Sequence, residues 1–516
     1  MGLFRSVWRL FKIIFFYAPL AFVALALTFD FLRLPWLPVV EAVAAGVAVL
    51  GVVMLAYSGL LKPTATSYGS AAFATLGQLY KNGLLNSRGL IIGRKLGRYL
   101  RFDRDGHLLT FAPTRSGKGV GCVIPNLLDH PGSVVVTDIK GENVAVTGRW
   151  RKGVGPVHAI APFDTSIMSA RYNPLDFIRA GLPEDVDDAA LIADLLVVPH
   201  GQETFWDSEA QSFIAALLLY VVSELPYEKR NLHHVWSLLM QDKDCLDQLI
   251  REMRASEHDA VRRAGDAFTQ KEDRERSAVL STAQTHMKIW KSRLLAQATE
   301  KSDFQLEDLK RSIMSLYIVI PPELLEVYRP FVRLMVGLSV SAMTRVRHRP
   351  KHRVLFLLDE VASLGRMAPI ETGIAYLAGY GVSIWLFFQD LGQLQSTYPK
   401  WRSMIANCNV RQAFSVADVQ TARELSAMMG NRTIEVRGQG SSQDGPLALI
   451  PDNFSRHSNE TGRPLMAPDE IMTMPKGEQL IFVQACPPVR ARKVHYWHEA
   501  SFKGRFGRWE PAMMPA

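Results

Sequence analysis

HLLTFAPTRSGKGVGCVIPNLL (residues 107–128) is the stretch on which the reading of this 516-residue chain turns. An apolar strand, LLTFA, runs into a glycine-bearing turn and then into an apolar segment of helical character, the context a phosphate-binding P-loop requires. The loop offers Thr114, Arg115, Ser116, Gly117, Lys118, Gly119 and Val120 to a nucleotide. Backbone N–H groups from Arg115 to Lys118 would wrap the β-phosphate, the helix would aim its positive N-terminus at the anion, and the Lys118 ammonium would bridge the β- and γ-phosphates. The match to G-x-x-x-x-G-K-[ST] departs at both ends, with Ala112 in the first glycine position and Gly119 where a hydroxyl normally ligates Mg2+. Taken alone, GK after a strand also fits a glycine-rich turn beside a solvated lysine.

About 240 residues further on, HRVLFLLDEVASLG (352–365) is a continuous apolar run of the kind a buried parallel strand shows, and it ends abruptly in Asp359 and Glu360. Adjacent carboxylates there are costly unless they face a cleft. Beside a P-loop they have a use: Asp359 holds Mg2+ and Glu360 polarises the attacking water. Without the GK segment, a surface acid or a helix cap would explain the pair. With both present the expectation is ATP binding with Mg2+, and Lys118 and Glu360 become the catalytic candidates. A third run, GVSIWLFFQD (381–390), ends in Gln389, a third catalytic candidate that senses the γ-phosphate or the attacking water, with a cap on the next helix as the alternative. A fourth, SVVVTDIKGE (133–142), ends in Asp138, Lys140 and Glu142, which read as structural groups.

Around this frame the composition is that of a globular protein, 48% hydrophobic and 21% charged, which excludes collagen-like and disordered classes. The four cysteines lie too far apart for a zinc ribbon or a disulfide scaffold. A net charge of +9 permits anionic partners without proving them. The apolar residues are unevenly spread: uncharged runs at 13–29 and 42–61 each approach the roughly 20 residues that cross a bilayer, and predict a two-helix transmembrane hairpin. A cleaved signal peptide fits the first run poorly, because no A-x-A site precedes polar sequence. Arg5, Arg9 and Lys12 before the pair and Lys62, Lys81, Arg88, Arg94 and Lys95 after it, against Arg33 between, predict that both termini are cytoplasmic.

Between YNPLDFIRAG and the strand RSIMSLYIVIPP (311–322) the chain is charged, rich in helix formers and free of strand-like runs, which predicts an all-α domain at about 180–306. His233 and His234 sit at a helix start without a carboxylate or cysteine at coordinating spacing, and read as structural. RGQGSSQDGPLALIPDNFSRHSNETGRP (437–464) has no period and reads as a mobile loop. EQLIFVQA and RARKVHYW read as a closing strand pair at the sheet edge. Residues 490–516 carry six basic groups against two acidic ones, a solvated tail or a phosphate contact.

APTRSGKGVGCVIPNLL, PGSVVVTDIKGEN, YNPLDFI, FWDSEAQSFI, FLLDEVASLGRM, FFQDLGQLQSTYP, GRPLMAPDEIM and QLIFVQACPPVRARKVHYW together resemble, in order and spacing, the TraG-type coupling proteins of type IV secretion and conjugation. The GKG loop ending is a usual variant in that branch. The resemblance implies a membrane-anchored, RecA/FtsK-like P-loop ATPase that assembles as a hexamer. It further implies an inserted all-α domain, partners in a relaxase-bound single-stranded DNA or effector proteins, and a secretion channel in the inner membrane. The expected fold is therefore α/β: an anchor at 1–61 in the lipid bilayer, a nucleotide-binding domain with a predominantly parallel sheet at 62–179 and 307–516, and the helical insertion at 180–306. With Gly119 in the loop, Mg2+ would rest on Asp359, phosphate oxygens and water, with Thr114 or Ser116 as further donors. Related motors complete a neighbour's site with an arginine; the segment IAYLAGYG has none, which leaves Arg366, Arg411 and Arg423 as trans-acting candidates. The expected activity is ATP hydrolysis that drives DNA–protein or protein substrates into the channel. The alternative is a nucleotide-gated docking platform without motor activity. An FtsK-like chromosome pump finds neither a long linker nor a winged-helix signal.

Overall fold

Each of the apolar runs that end in polar residues becomes a strand in the computed structural model, which describes residues 66–198, 204–442 and 453–507 together with Gly46. The strands are β1 (Leu90–Lys95), β2 (Arg98–Phe102), β3 (His107–Phe111), β4 (Val134–Asp138), β5 (Val157–Ile160), β6 (Ser315–Val319), β7 (Val354–Leu358), β8 (Val382–Phe388), β9 (Cys408–Ala413), β10 (Asn431–Ser442), β11 (Asn453–Pro464), β12 (Glu478–Val483) and β13 (Val489–Arg492). Eleven of them form one sheet in the order β2-β1-β13-β12-β9-β3-β8-β7-β4-β6-β5. From β9 to β5 every neighbouring pair is parallel. From β9 to β2 every pair is antiparallel.

The parallel strands are apolar on both faces because both faces are covered. Val354, Phe356 and Leu358 of β7 enter one hydrophobic cluster and Leu355 and Leu357 enter another. Val382, Ile384, Leu386 and Phe388 of β8 divide from Trp385 and Phe387 in the same way, as the two-residue side-chain period of a strand dictates. The first of these clusters runs on without a break into the helices that follow β5. Between Asp185 and Arg311 the described residues form helices and turns only, led by Asp185–Leu196, Thr204–Glu224, Lys243–Ala255, Asp259–Gln270 and Asp273–Met287. The helix Arg329–Arg345 locks this bundle to the sheet, and at Gly337 a Cβ would stand 2.4 Å from the Leu195 side chain, so only glycine lets the two helices approach so closely. Asn231 caps the helix Leu232–Leu239 by accepting from the His234 N–H, while His233 Nδ1 lies 2.8 Å from the Trp290 carbonyl.

Two expectations need correction. The segment read as a mobile loop holds the end of β10 and all of β11, which pair as a separate two-stranded ribbon and group with residues 66–70 in a small unit of their own. A two-stranded ribbon draws its ladder from main-chain groups and needs no alternating apolar face, so its sequence carries no strand period. The pair β12–β13 lies inside the sheet and not at its edge, because the hairpin β1–β2, short and charged, adds beyond it. The two apolar runs expected to span a membrane lie outside the described residues, Gly46 apart. No helix among the described residues is long and apolar enough to cross one.

His107 starts β3, fully buried, and its Nδ1 accepts the Ile384 N–H at 3.0 Å, so Nε2 carries the proton and has no partner among the described residues. Burial pulls its pKa down to about 4. The unfolded chain takes up that proton near the ordinary histidine value of about 6.5, so stability is lost as pH falls from there towards about 4, by about 2 kcal/mol at pH 5. Replacing His107→Asn, whose Oδ1 can accept the same N–H, should shrink the difference in unfolding free energy between pH 7.5 and pH 5 by about that amount in urea denaturation. An unchanged difference would show that His107 is not a source of acid sensitivity.

Candidate functional site

The chain leaves β3 at Phe111, and Ala112 still donates to the Phe388 carbonyl of β8 at 2.8 Å, so the loop begins as an extension of the sheet. Arg115 and Gly117 then adopt left-handed backbone (φ 59° and 86°) before Lys118 enters helical geometry at φ −59°. Alternation of left- and right-handed residues turns successive N–H groups to one side and makes an anion-binding concavity. The helix that follows opens with a wide turn over Gly119–Val123, closed by the Ile124 N–H on the Gly119 carbonyl, and continues as Ile124–Asp129. Its N-terminus faces the loop. Thr114 and Arg115 are exposed, and Ser116 is buried with its Oγ donating to the Pro113 carbonyl at 2.5 Å.

Sheet order explains what meets Lys118. β8 lies between β3 and β7, so the ends of three adjacent strands bring together the P-loop, Gln389 and the carboxylate pair. Lys118 Nζ lies 2.8 Å from Asp359 Oδ1 and 2.5 Å from Glu360 Oε1, and Gln389 Nε2 donates to Glu360 Oε2 at 3.1 Å. Asp390, not Gln389, caps the following helix by accepting from the Gln393 N–H at 2.8 Å. Burial alone would lower the Lys118 pKa, but the Asp359 and Glu360 carboxylates outweigh it and hold the ammonium charged, above its ordinary value.

The carboxylates are placed as carefully as the loop. Thr137 of β4 clamps the backbone of Asp359, accepting its N–H at 2.7 Å and donating to its carbonyl at 3.1 Å. Glu360 takes left-handed backbone (φ 51°), which costs a non-glycine residue about 1–2 kcal/mol. Its N–H donates to Asp359 Oδ1 at 2.9 Å and its carbonyl accepts from Ser363 Oγ at 2.6 Å. The buried Arg333 fixes the loop beyond, donating to the carbonyls of Leu364 (3.0 Å) and Arg366 (2.6 Å). Two hard carboxylate oxygens beside an anion-binding loop suit Mg2+. Gly119 has no hydroxyl and the Ser116 hydroxyl is engaged with Pro113, so Asp359 is the side chain best placed to hold the ion.

Of the residues singled out from the sequence, Lys118, Asp359, Glu360 and Gln389 form one contiguous hydrogen-bonded group. The three arginine candidates stand apart from it: Arg366 pairs with Glu371 at 2.8 Å, Arg411 lies on β9 with its Nε buried, and Arg423 is exposed on the helix Val419–Met429. Asp138 accepts from the Val144 N–H at 2.9 Å and from Asn143, a structural role at the start of the next helix. Two participants escaped the sequence reading. Thr137 carries no local signal, and Lys493, from the stretch read as strand or tail, is buried with its Nζ donating to the Ser116 carbonyl at 2.7 Å, across 377 positions of sequence.

This arrangement has relatives. The sequence profile of the family described as "Type IV secretory system Conjugative DNA transfer" matches residues 72–513. The chain belongs to this family. Among curated members, the conjugal transfer protein TraG of Escherichia coli is 33% identical over 443 residues, 79% of this chain and 70% of TraG. The protein VirD4 of Rhizobium radiobacter is 30% identical over 459 residues, 86% of this chain and 65% of VirD4. Among solved structures, the conjugative coupling protein TrwB lacking its first 70 residues superposes with a TM-score of 0.64 at 16% identity, covering 87% of this chain and 97% of TrwB. TrwB in complex with ADP and Mg2+ gives a TM-score of 0.63 at 17% identity, covering 87% and 98%. These likenesses place the α/β fold with that of TrwB.

In this coupling protein Thr137→Val keeps the side-chain shape but leaves the Asp359 N–H unsatisfied. Unfolding free energy in urea should fall by about 1–3 kcal/mol. No change would mean that strand pairing alone places the carboxylates.

Proposed function

We propose that the chain binds ATP with Mg2+ at the P-loop and hydrolyses it to drive DNA–protein or protein substrates into a type IV secretion channel. The observation that carries this is the contact of Lys118 with Asp359 and Glu360, with Gln389 on the far oxygen of Glu360. Lys118 donates to phosphate oxygens and neutralises charge that builds up as the terminal phosphoryl group departs. Glu360, oriented by the Gln389 amide and by its own strained backbone, holds the attacking water and takes up its proton. Mg2+ on Asp359 supplies Lewis-acid stabilisation of the phosphate oxygens. That TrwB forms complexes with ADP and Mg2+ and with non-hydrolysable ATP and GTP analogues supports the reading.

The wider setting belongs to the same proposal. A membrane hairpin at 1–61 tethers the chain to the bacterial inner membrane with both termini in the cytoplasm. Six copies surround a channel, and an arginine from a neighbour completes each site, with Arg366, Arg411 and Arg423 as candidates. The cargo is a relaxase-bound single strand or an effector protein. A nucleotide-gated docking platform is the second reading, favoured by Gly119 and by the Ser116 hydroxyl spent on Pro113, which leave Mg2+ short of a customary ligand.

ATP hydrolysis by the purified chain, with and without single-stranded DNA, tests the first reading against the second. Lys118→Ala should abolish nucleotide binding and turnover, and Glu360→Gln should retain binding and lower turnover by about 10²–10⁴-fold. Binding without turnover in the parent chain would favour the docking platform. Unchanged turnover in both variants would remove these residues from the chemistry.

A further inference from the structure

A nucleotide on a P-loop is directional. Its γ-phosphate end lies where Lys118 meets Asp359 and Glu360, on the β8 and β7 side of β3. The α-phosphate and nucleoside must therefore leave the loop on its other flank, over β9 and the antiparallel strands. On that flank lies a pocket of about 510 Å3, walled on one side by the P-loop from Pro113 to Gly117 with Val120, and on the other by Ser415, Lys476, Lys493, His495 and Trp497.

Two features of this pocket stand out chemically. Lys493 is only 8% exposed and has no carboxylate partner among the described residues; its ammonium donates to the Ser116 carbonyl at 2.7 Å and lies 4.7 Å from the centre of the Phe414 ring. A buried ammonium without a counter-ion is costly, and an ammonium has three N–H groups, so this one still has donors for an anion. Trp497, in contrast, is 46% exposed, its indole 5.4 Å from the His495 ring, an aromatic surface that water covers poorly.

We propose that this pocket is the nucleoside end of the nucleotide site, with Lys493 on the α-phosphate and the Trp497 indole stacked against the base. The proposal rests on the reading that the P-loop holds a nucleotide. Both residues come from the segment after β13, so the C-terminal strands close the site as well as widen the sheet. Stacking reads the face of a base and not its edge, so the pocket accepts adenine and guanine with little preference.

Calorimetric titration of the purified full chain with Mg2+·ADP and with inorganic pyrophosphate separates the two ends of the site. Trp497→Ala, at an exposed position, should weaken ADP binding by about tenfold or more while pyrophosphate binding stays unchanged, and Trp497→Phe should restore most of the loss. Equal ADP affinity in Trp497→Ala and parent would overturn the assignment and leave the phosphate site intact, and so would parallel loss of ADP and pyrophosphate. A parent chain that binds neither would overturn the nucleotide reading itself and this proposal with it.

Discussion

Two carboxylates on consecutive residues at the end of a buried strand repel each other and lose hydration, and the Lys118 ammonium makes them tenable. That one contact joins residues 242 positions apart and sets requirements on everything around it. β3 and β7 must flank a common neighbour, so that the loop and the acids meet above β8. Asp359 must be held by Thr137 from the next strand, and Glu360 must accept left-handed backbone to present its carboxylate. An ion pair of this kind is weak evidence for stability, since desolvation offsets much of the attraction. Its place at a strand end fits the phosphate-binding role proposed for the three charges.

The helical insertion is tied to the same point. Arg333, on the helix that packs against Asp185–Leu196, donates to the carbonyls of the loop that follows Glu360, and it also reaches the Leu195 carbonyl at 3.4 Å. One buried guanidinium thus touches the bundle and the turn that carries the catalytic candidates. Movement of the bundle against the sheet would be felt at Leu364 and Arg366, two turns of chain from the carboxylates at most, through a physical connection and not through distance alone.

The parallel core was legible because its strands are buried on both faces: LLTF, VVVT, VLFLL and SIWLFF stand out as unbroken apolar runs, each ending in the residues that reach the site. The helices between Asp185 and Arg311 were legible for the complementary reason, a long stretch of helix formers without a strand run. What escaped was structure whose determinants are not local. β1 and β2 are short and charged: β1 is placed by pairing with β13 and β2 by pairing with β1, while Leu90, Ile92, Leu100 and Phe102 join the core. In the ribbon of β10 and β11, residues 431–436 and 459–464 include none that is buried, so nothing there imposes a period. Thr137 and Lys493 look ordinary until strand order sets one beside Asp359 and the other under Ser116. Gln389 was ambiguous until Asp390 took the cap and left the amide to Glu360.

The central claim is that Lys118 exchanges its carboxylate partners for a nucleotide's phosphates. A crystal or cryo-electron microscopy structure of the chain with Mg2+ and a non-hydrolysable ATP analogue tests it most directly. The account predicts Lys118 Nζ on the β- and γ-phosphate oxygens, Asp359 beside the metal and Glu360 facing the γ-phosphorus. A nucleotide bound elsewhere, with Lys118 still held by Asp359 and Glu360, would contradict it.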